Sequence, residues 1–367
     1  MWQKTVSEQN VETLSKMSRF FRILMKFGLF PFMMDSSEKK LSFKICSRPT
    51  LYFTLYVCIM MITFSFCMFY LLGIDNIRKF WENMLNQSNF TDFLTYAYLM
   101  SINMFSTLQL KIFYDISKIS SDLLLSTNFK WPKHGYLLLY TTILCMGAQI
   151  IWGILSINAR IEMNFSELLG VIFGYCILFV MNYTIIFNEF IFFLTWMEHF
   201  SKICDEYDFS NVFKHSQACL QIFKTIQDGL GWIYLMFFIA FQIMIVINIY
   251  MFISTAFFGP YDLHTNIIVS ICYVIIFLYC AVVLYVLTTT AENTHRSLQN
   301  LTNPLRRMLD RENNEDSRTT VKLFIKEIEN TPFLNGCGFF QLKKETLTSI
   351  VSNTVTYLII LLQFRIS

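Results

Sequence analysis

Near the end of this 367-residue chain, Ser349, Ser352, Asn353, Thr356, Ile360 and Gln363 share one stripe. The stripe is about 100° wide when each residue takes the roughly 100° turn of an α-helix. The opposite face carries Val351, Val355, Leu358, Leu361 and Leu362. A polar stripe in lipid must face protein or water. It either packs against other helices of the same chain, where Ser and Thr are common, or lines a pore. Other groups capable of chemistry are dispersed. His134, His199, His215, His264 and His295 form no paired metal spacing. No glycine-rich phosphate loop and no serine nucleophile elbow occurs. Gly336-Cys337-Gly338 is too short for a phosphate loop and reads as a hinge. The expectation is a protein that is no enzyme and uses no cofactor, metal or nucleic acid.

The elements that must carry the stripe are membrane spans. Hydrophobic residues make up 54% of the chain and charged ones 15%, against about 25% charged in soluble domains. A crossing helix needs about 20 apolar residues. Runs free of Asp, Glu, Lys, Arg and His predict seven: 49–74, 93–110, 135–159, 168–188, 229–258, 265–291 and 346–364. Gly259-Pro260 closes the fifth. No charge interrupts a span, which argues against a proton-coupled transporter. The expected fold class is all-α and polytopic, in a single domain.

Basic residues set the orientation. Residues 1–48 hold nine Lys/Arg, and 292–336 holds Arg296, Arg306, Arg307, Arg311, Arg318, Lys322 and Lys326. Lys118, Lys130, Lys133, Lys202, Lys214 and Lys224 fall on the same side. The opposite side holds Arg78, Lys79, Arg160 and Arg365. The N-terminus is therefore expected in the cytoplasm and the C-terminus outside. No cleavable signal peptide is evident. The sequons at Asn86, Asn89 and Asn164 fall in outer loops and are glycosylation candidates. No cysteine falls in an outer loop, so no external disulfide framework is expected.

The outer loops are short, which favours a small molecule in a cleft between helices over a macromolecular ligand. Polar or aromatic candidates for such a pocket are Tyr98, Gln149, Trp152, Asn182, Asn248 and Tyr273. Segments 195–228 and 292–345 are predicted to form a cytoplasmic anchor. There Leu298, Leu301, Leu305, Met308 and Leu309 recur at helical spacing, and Asp310 to Asp316 reads as a solvated loop.

Asn303-Pro304 and Asp310-Arg311-Glu312 look like G-protein-coupled receptor motifs, but both sit in one polar loop of an inverted topology. The last span is more specific. Thr356-Tyr357, five apolar residues and Gln363-Phe364 resemble the terminal signature of insect gustatory receptors. Gly336 to Leu342 is similar to that family's approach to its last helix. The resemblance implies a ligand-gated, non-selective cation channel of the plasma membrane of sensory neurons. It would be a homo- or heterotetramer with other gustatory receptors, gated by a small-molecule tastant. Four last helices would surround the pore, lined by Asn353, Thr356, Ile360 and an outer amide ring of Gln363. Tyr357 lies off the stripe and would pack on the fifth helix or a neighbouring subunit. The absence of a carboxylate from the embedded pocket favours a bitter or other non-sugar compound. The alternatives are an odorant receptor of the same superfamily, a metabotropic seven-helix receptor and a non-conducting accessory subunit.

Overall fold

The computed structural model describes residues 33–35, 40–42, 132–160, 212–258, 263–311 and 314–366, with scattered positions in 51–62 and 187–205. The predicted spans 49–74, 93–110 and 168–188 lie wholly or largely outside the described residues, as do Asn86, Asn89 and Asn164. A short antiparallel hairpin, β1 (Met33–Asp35) and β2 (Lys40–Ser42), pairs Met33 with Ser42. All other described elements are helical: α1 (Gly135–Arg160), α2 (Val212–Phe258), α3 (Leu263–Asn300), α4 (Thr302–Arg311), α5 (Glu315–Glu329) and α6 (Lys344–Ile366).

Three described helical stretches are long and apolar enough to cross a membrane, one each in α1, α2 and α3. α3 is central, packing on both α2 and α1, while α6 rests on α2 and α3. Aromatic side chains pack α2 against α3 and against the helical positions that precede α2. Phe190 lies 4.7 Å from Phe237, and Phe241 lies 6.4 Å from Tyr279, ring centre to ring centre. Such pairs add about 0.5–1.5 kcal/mol each beyond their burial.

Helix length explains the anchor. α2 has 47 residues, about 70 Å at 1.5 Å per residue, more than twice a bilayer's hydrocarbon core of about 30 Å. Its first turns therefore project beyond lipid and meet α4 and α5. Leu298, Leu301 and Leu305 are fully buried there, and Met308 and Leu309 partly so. The expected solvated loop at Asp310–Asp316 is helical at both ends instead. Asp310 and Arg311 complete α4, while Glu315 and Asp316 open α5. Asn314 caps α5, its side chain accepting the Asp316 N–H at 3.0 Å. Carboxylates in a first turn complement the helix dipole, so this acidic run serves as a start signal.

His295 is buried at the same end of α3. Its ring lies 3.9 Å from that of Phe333 and 6.1 Å from that of Phe223, centre to centre. Neither ring nitrogen has a hydrogen-bond partner. The apolar run of α3 ends at Ala291, about 42 Å along the helix and so beyond the hydrocarbon. Burial lowers the His295 pKa to about 4, with Glu292 opposing. The unfolded chain holds that proton up to about pH 6.5. Acidification from about 6.5 to about 4 is thus expected to remove about 3 kcal/mol of stability. His295→Phe should flatten that slope in melting curves of the solubilised protein. An unchanged slope would place the acid sensitivity elsewhere.

Candidate functional site: a cleft between three helices and a polar face on the last

Gln149 and Trp152 on α1, Ile247, Asn248 and Met251 on α2, and Tyr273 and Ile276 on α3 line one cleft. Helical spacing brings these residues together in pairs: Gln149 with Trp152, Asn248 with Met251, and Tyr273 with Ile276 each lie three positions apart on one face. The Trp152 indole N–H donates to the Tyr273 hydroxyl at 2.6 Å, with ring centres 6.2 Å apart. This bond closes the cleft between α1 and α3. The Asn248 amide donates to the Met244 carbonyl at 2.7 Å. Free space within the cleft is about 20 Å³, room for a single water-sized guest. A larger guest has to part Trp152 from Tyr273.

Four of the six residues proposed from sequence therefore meet in one place: Gln149, Trp152, Asn248 and Tyr273. Tyr98 and Asn182 lie outside the described residues. Ile247, Met251 and Ile276 were not anticipated. Met251 and Ile276 could have been found by stepping three residues from Asn248 and Tyr273.

On α6, Ser349, Ser352, Asn353, Thr356, Ile360 and Gln363 are all exposed on the single chain. The polar stripe therefore does not pack against the described helices of its own subunit. Contact with the rest of the chain runs along a different line, through buried Ile350 and Thr354. The Gln242 side chain on α2 donates to the Thr354 hydroxyl at 2.9 Å and reaches the Ile350 carbonyl at 3.4 Å. Thr354 also donates to the Ile350 carbonyl within its own helix, at 2.8 Å. Thr354 was not anticipated, because the projection sorted residues by polarity and this hydroxyl lies off the stripe. Tyr357 is 54% exposed on the single chain. The Phe364 side chain lies outside the described residues.

The segment entering α6 corrects the hinge expectation at Gly336-Cys337-Gly338. Leu342 N–H donates to Leu334 O at 2.7 Å, and Gly336 N–H to Phe340 O at 3.0 Å. Gly338 N–H reaches the Asn335 side chain at 2.8 Å. Cys337 and Gly338 take positive φ, at 52° and 81°. This is a pinned hairpin-like turn. It docks on α2 through Phe340 against Phe238, ring centres 4.3 Å apart. Gly231 leaves room for the turn, since a Cβ there would lie 3.2 Å from the Cys337 nitrogen.

No curated protein matches the chain by sequence. In three dimensions it is similar to the insect olfactory receptor OR5 from Machilis hrabei. The TM-score is 0.64 at 15% identity, covering 96% of this chain and 99% of that one. The same receptor in complex with eugenol gives 0.68 at 13% identity, with the same coverage. At such identity the likeness shows the fold. Residues 17–367 match the family model described as 7tm chemosensory receptor, a receptor and not an enzyme family. With long apolar helices and fold in agreement, the chain belongs to the 7tm chemosensory receptor family.

Proposed function

We propose that this chain is a gustatory receptor, a subunit of a tetrameric, ligand-gated, non-selective cation channel. It would act in the plasma membrane of sensory neurons, with its N-terminus cytoplasmic. The observation that carries this reading is the polar stripe of α6, exposed on the single chain. Such a stripe needs protein or water across it, and four copies around an axis supply both. Gln363 would then form a ring of neutral amides that hydrates a cation without holding it. Asn353, Thr356 and Ile360 continue the lining inward. The terminal signature supports the gustatory branch over the odorant branch.

The cleft of Gln149, Trp152, Asn248 and Tyr273 is the proposed ligand site. A relative of this fold is solved with the small molecule eugenol, and a small non-sugar tastant suits a cleft lined by aromatic and apolar groups with a few amides. α2 carries both cleft residues and Gln242, so one rigid element connects the ligand to the pore helix.

Recording from cells that express the receptor, alone and with co-receptor subunits, tests the channel assignment. Gln363→Glu is expected to raise relative divalent permeability severalfold, and Gln363→Ala to change conductance. Surface expression should hold in both. Unchanged permeation in both variants would remove Gln363 from the pore.

A further inference from the structure

Toward the Gly259-Pro260 connection, α2 and α3 frame a second cavity, with about 350 Å³ of free space. That lies within the usual range of small-molecule sites, about 300–1,000 Å³. Phe252 and Ala256 on α2 form one wall, and α3 from Leu263 to Ile275 forms the other. Twelve residues of helix make the groove about 18 Å long, close to the depth of one leaflet. Its rim is apolar and open. Leu263, Ile267, Ile271 and Val274 recur at steps of three and four and are 38% to 73% exposed. In a membrane this stripe meets hydrocarbon, so the groove opens into the bilayer. No ionisable side chain lines it, and a charged guest would enter unpaired. The cleft described above and this groove share two helices but no residue.

Ser270 lines this groove and is only 8% exposed. Buried hydroxyls elsewhere in these helices turn back to the carbonyl four residues earlier, Thr142 to Leu138 at 2.6 Å and Thr288 to Leu284 at 2.8 Å. Ser270 makes no such bond, and its Oγ has no hydrogen-bond partner among the described residues. Its O–H is left to donate to a guest. His264, exposed at the start of α3, marks the boundary of the apolar run, and Ser270 lies six residues, about 9 Å, beyond it along the helix. At that depth the acyl chain of a bilayer lipid offers no acceptor. Asn266, one turn before Ser270, adds an amide to the same wall. We infer that the groove binds an uncharged, chain-like lipophile that enters from the bilayer and accepts a hydrogen bond from Ser270, in the class of long-chain ketones and esters. Binding requires only that α2 and α3 lie in lipid, so the site stands or falls independently of the channel assignment.

The test uses the full-length protein in phosphatidylcholine nanodiscs. The probe is methyl decyl ketone carrying a diazirine at the far end of its chain, and peptide mass spectrometry reads the labelled positions. Label is expected on the α2 and α3 residues that line the groove. Unlabelled methyl decyl ketone should displace it at a mole fraction in the bilayer about fivefold below that of dodecane, the worth of about one hydrogen bond. Ser270→Ala should remove that difference while leaving the melting temperature unchanged, since the hydroxyl has no partner to lose. Ala256→Phe, which fills the groove from its exposed side, should abolish displaceable label. Label that neither competitor displaces, spread equally over exposed α1 positions such as Tyr140 and Leu144, would mean bulk lipid only and overturn the site. Equal displacement by ketone and dodecane in the wild type would overturn the role of Ser270, and that result needs no variant to fold. No arm reads current, so a failed channel assay leaves this result standing.

Discussion

Gly336→Ala is expected to destabilise the receptor by about 1–3 kcal/mol, the usual cost of overpacking, and to deplete it from the cell surface. A Cβ at this position would lie 2.6 Å from two ring atoms of Phe340 and 3.2 Å from the Leu235 Cα. The ring has little freedom to yield, because it packs against Phe238, and the Gly336–Phe340 backbone bond fixes the turn around it. Relief therefore requires the turn to lift from α2, which moves the start of α6. Gly338→Ala provides the contrast. Nothing lies within 4 Å of its Cβ position, and its cost comes from φ of +81° alone, about 1 kcal/mol. Melting temperatures of the solubilised variants, with surface biotinylation in cells, separate the two. Equal losses would show that the turn is not held against α2 as described.

If the chain is the ligand-gated channel proposed above, Gln242→Leu should shift the ligand concentration for half-maximal current by about fivefold while leaving single-channel conductance intact. The substitution keeps volume and removes the donor that reaches Thr354 and the Ile350 carbonyl. Thr354 retains its bond within α6, so no hydroxyl is stranded. What is lost is the polar tie between α2 and the last helix. Hydrogen bonds between membrane helices are worth about 0.6–2 kcal/mol, and about 1 kcal/mol corresponds to roughly fivefold in an equilibrium constant. A variant with wild-type dose response and wild-type melting would show that this tie does not report on gating. Altered conductance would place Gln242 at the permeation path instead.

Helix identity was legible in the sequence because apolar runs without charge have few alternatives, and the runs 135–159, 229–258, 265–291 and 346–364 lie in α1, α2, α3 and α6, although α2 begins as early as Val212 and α3 continues to Asn300. The cleft was partly legible for a related reason. An indole or an amide inside a span needs a partner, and Trp152 finds Tyr273 on another helix. Features set by distant contacts were not legible. Gly336-Cys337-Gly338 resembles a flexible joint when read alone, but Leu235, Phe238 and Gly231, about a hundred residues earlier, hold it in place. Thr354 lies off the polar stripe, and only the contact with Gln242 on α2 gives it a role.

The exposed stripe of α6 also bears on biogenesis. A subunit left alone in lipid would show Ser352, Asn353 and Gln363 to hydrocarbon, a state that persists only until something covers them. In the tetramer proposed above, folding of one chain would be completed only when neighbours arrive, and export from the compartment of synthesis would follow the supply of partners more closely than the supply of this chain.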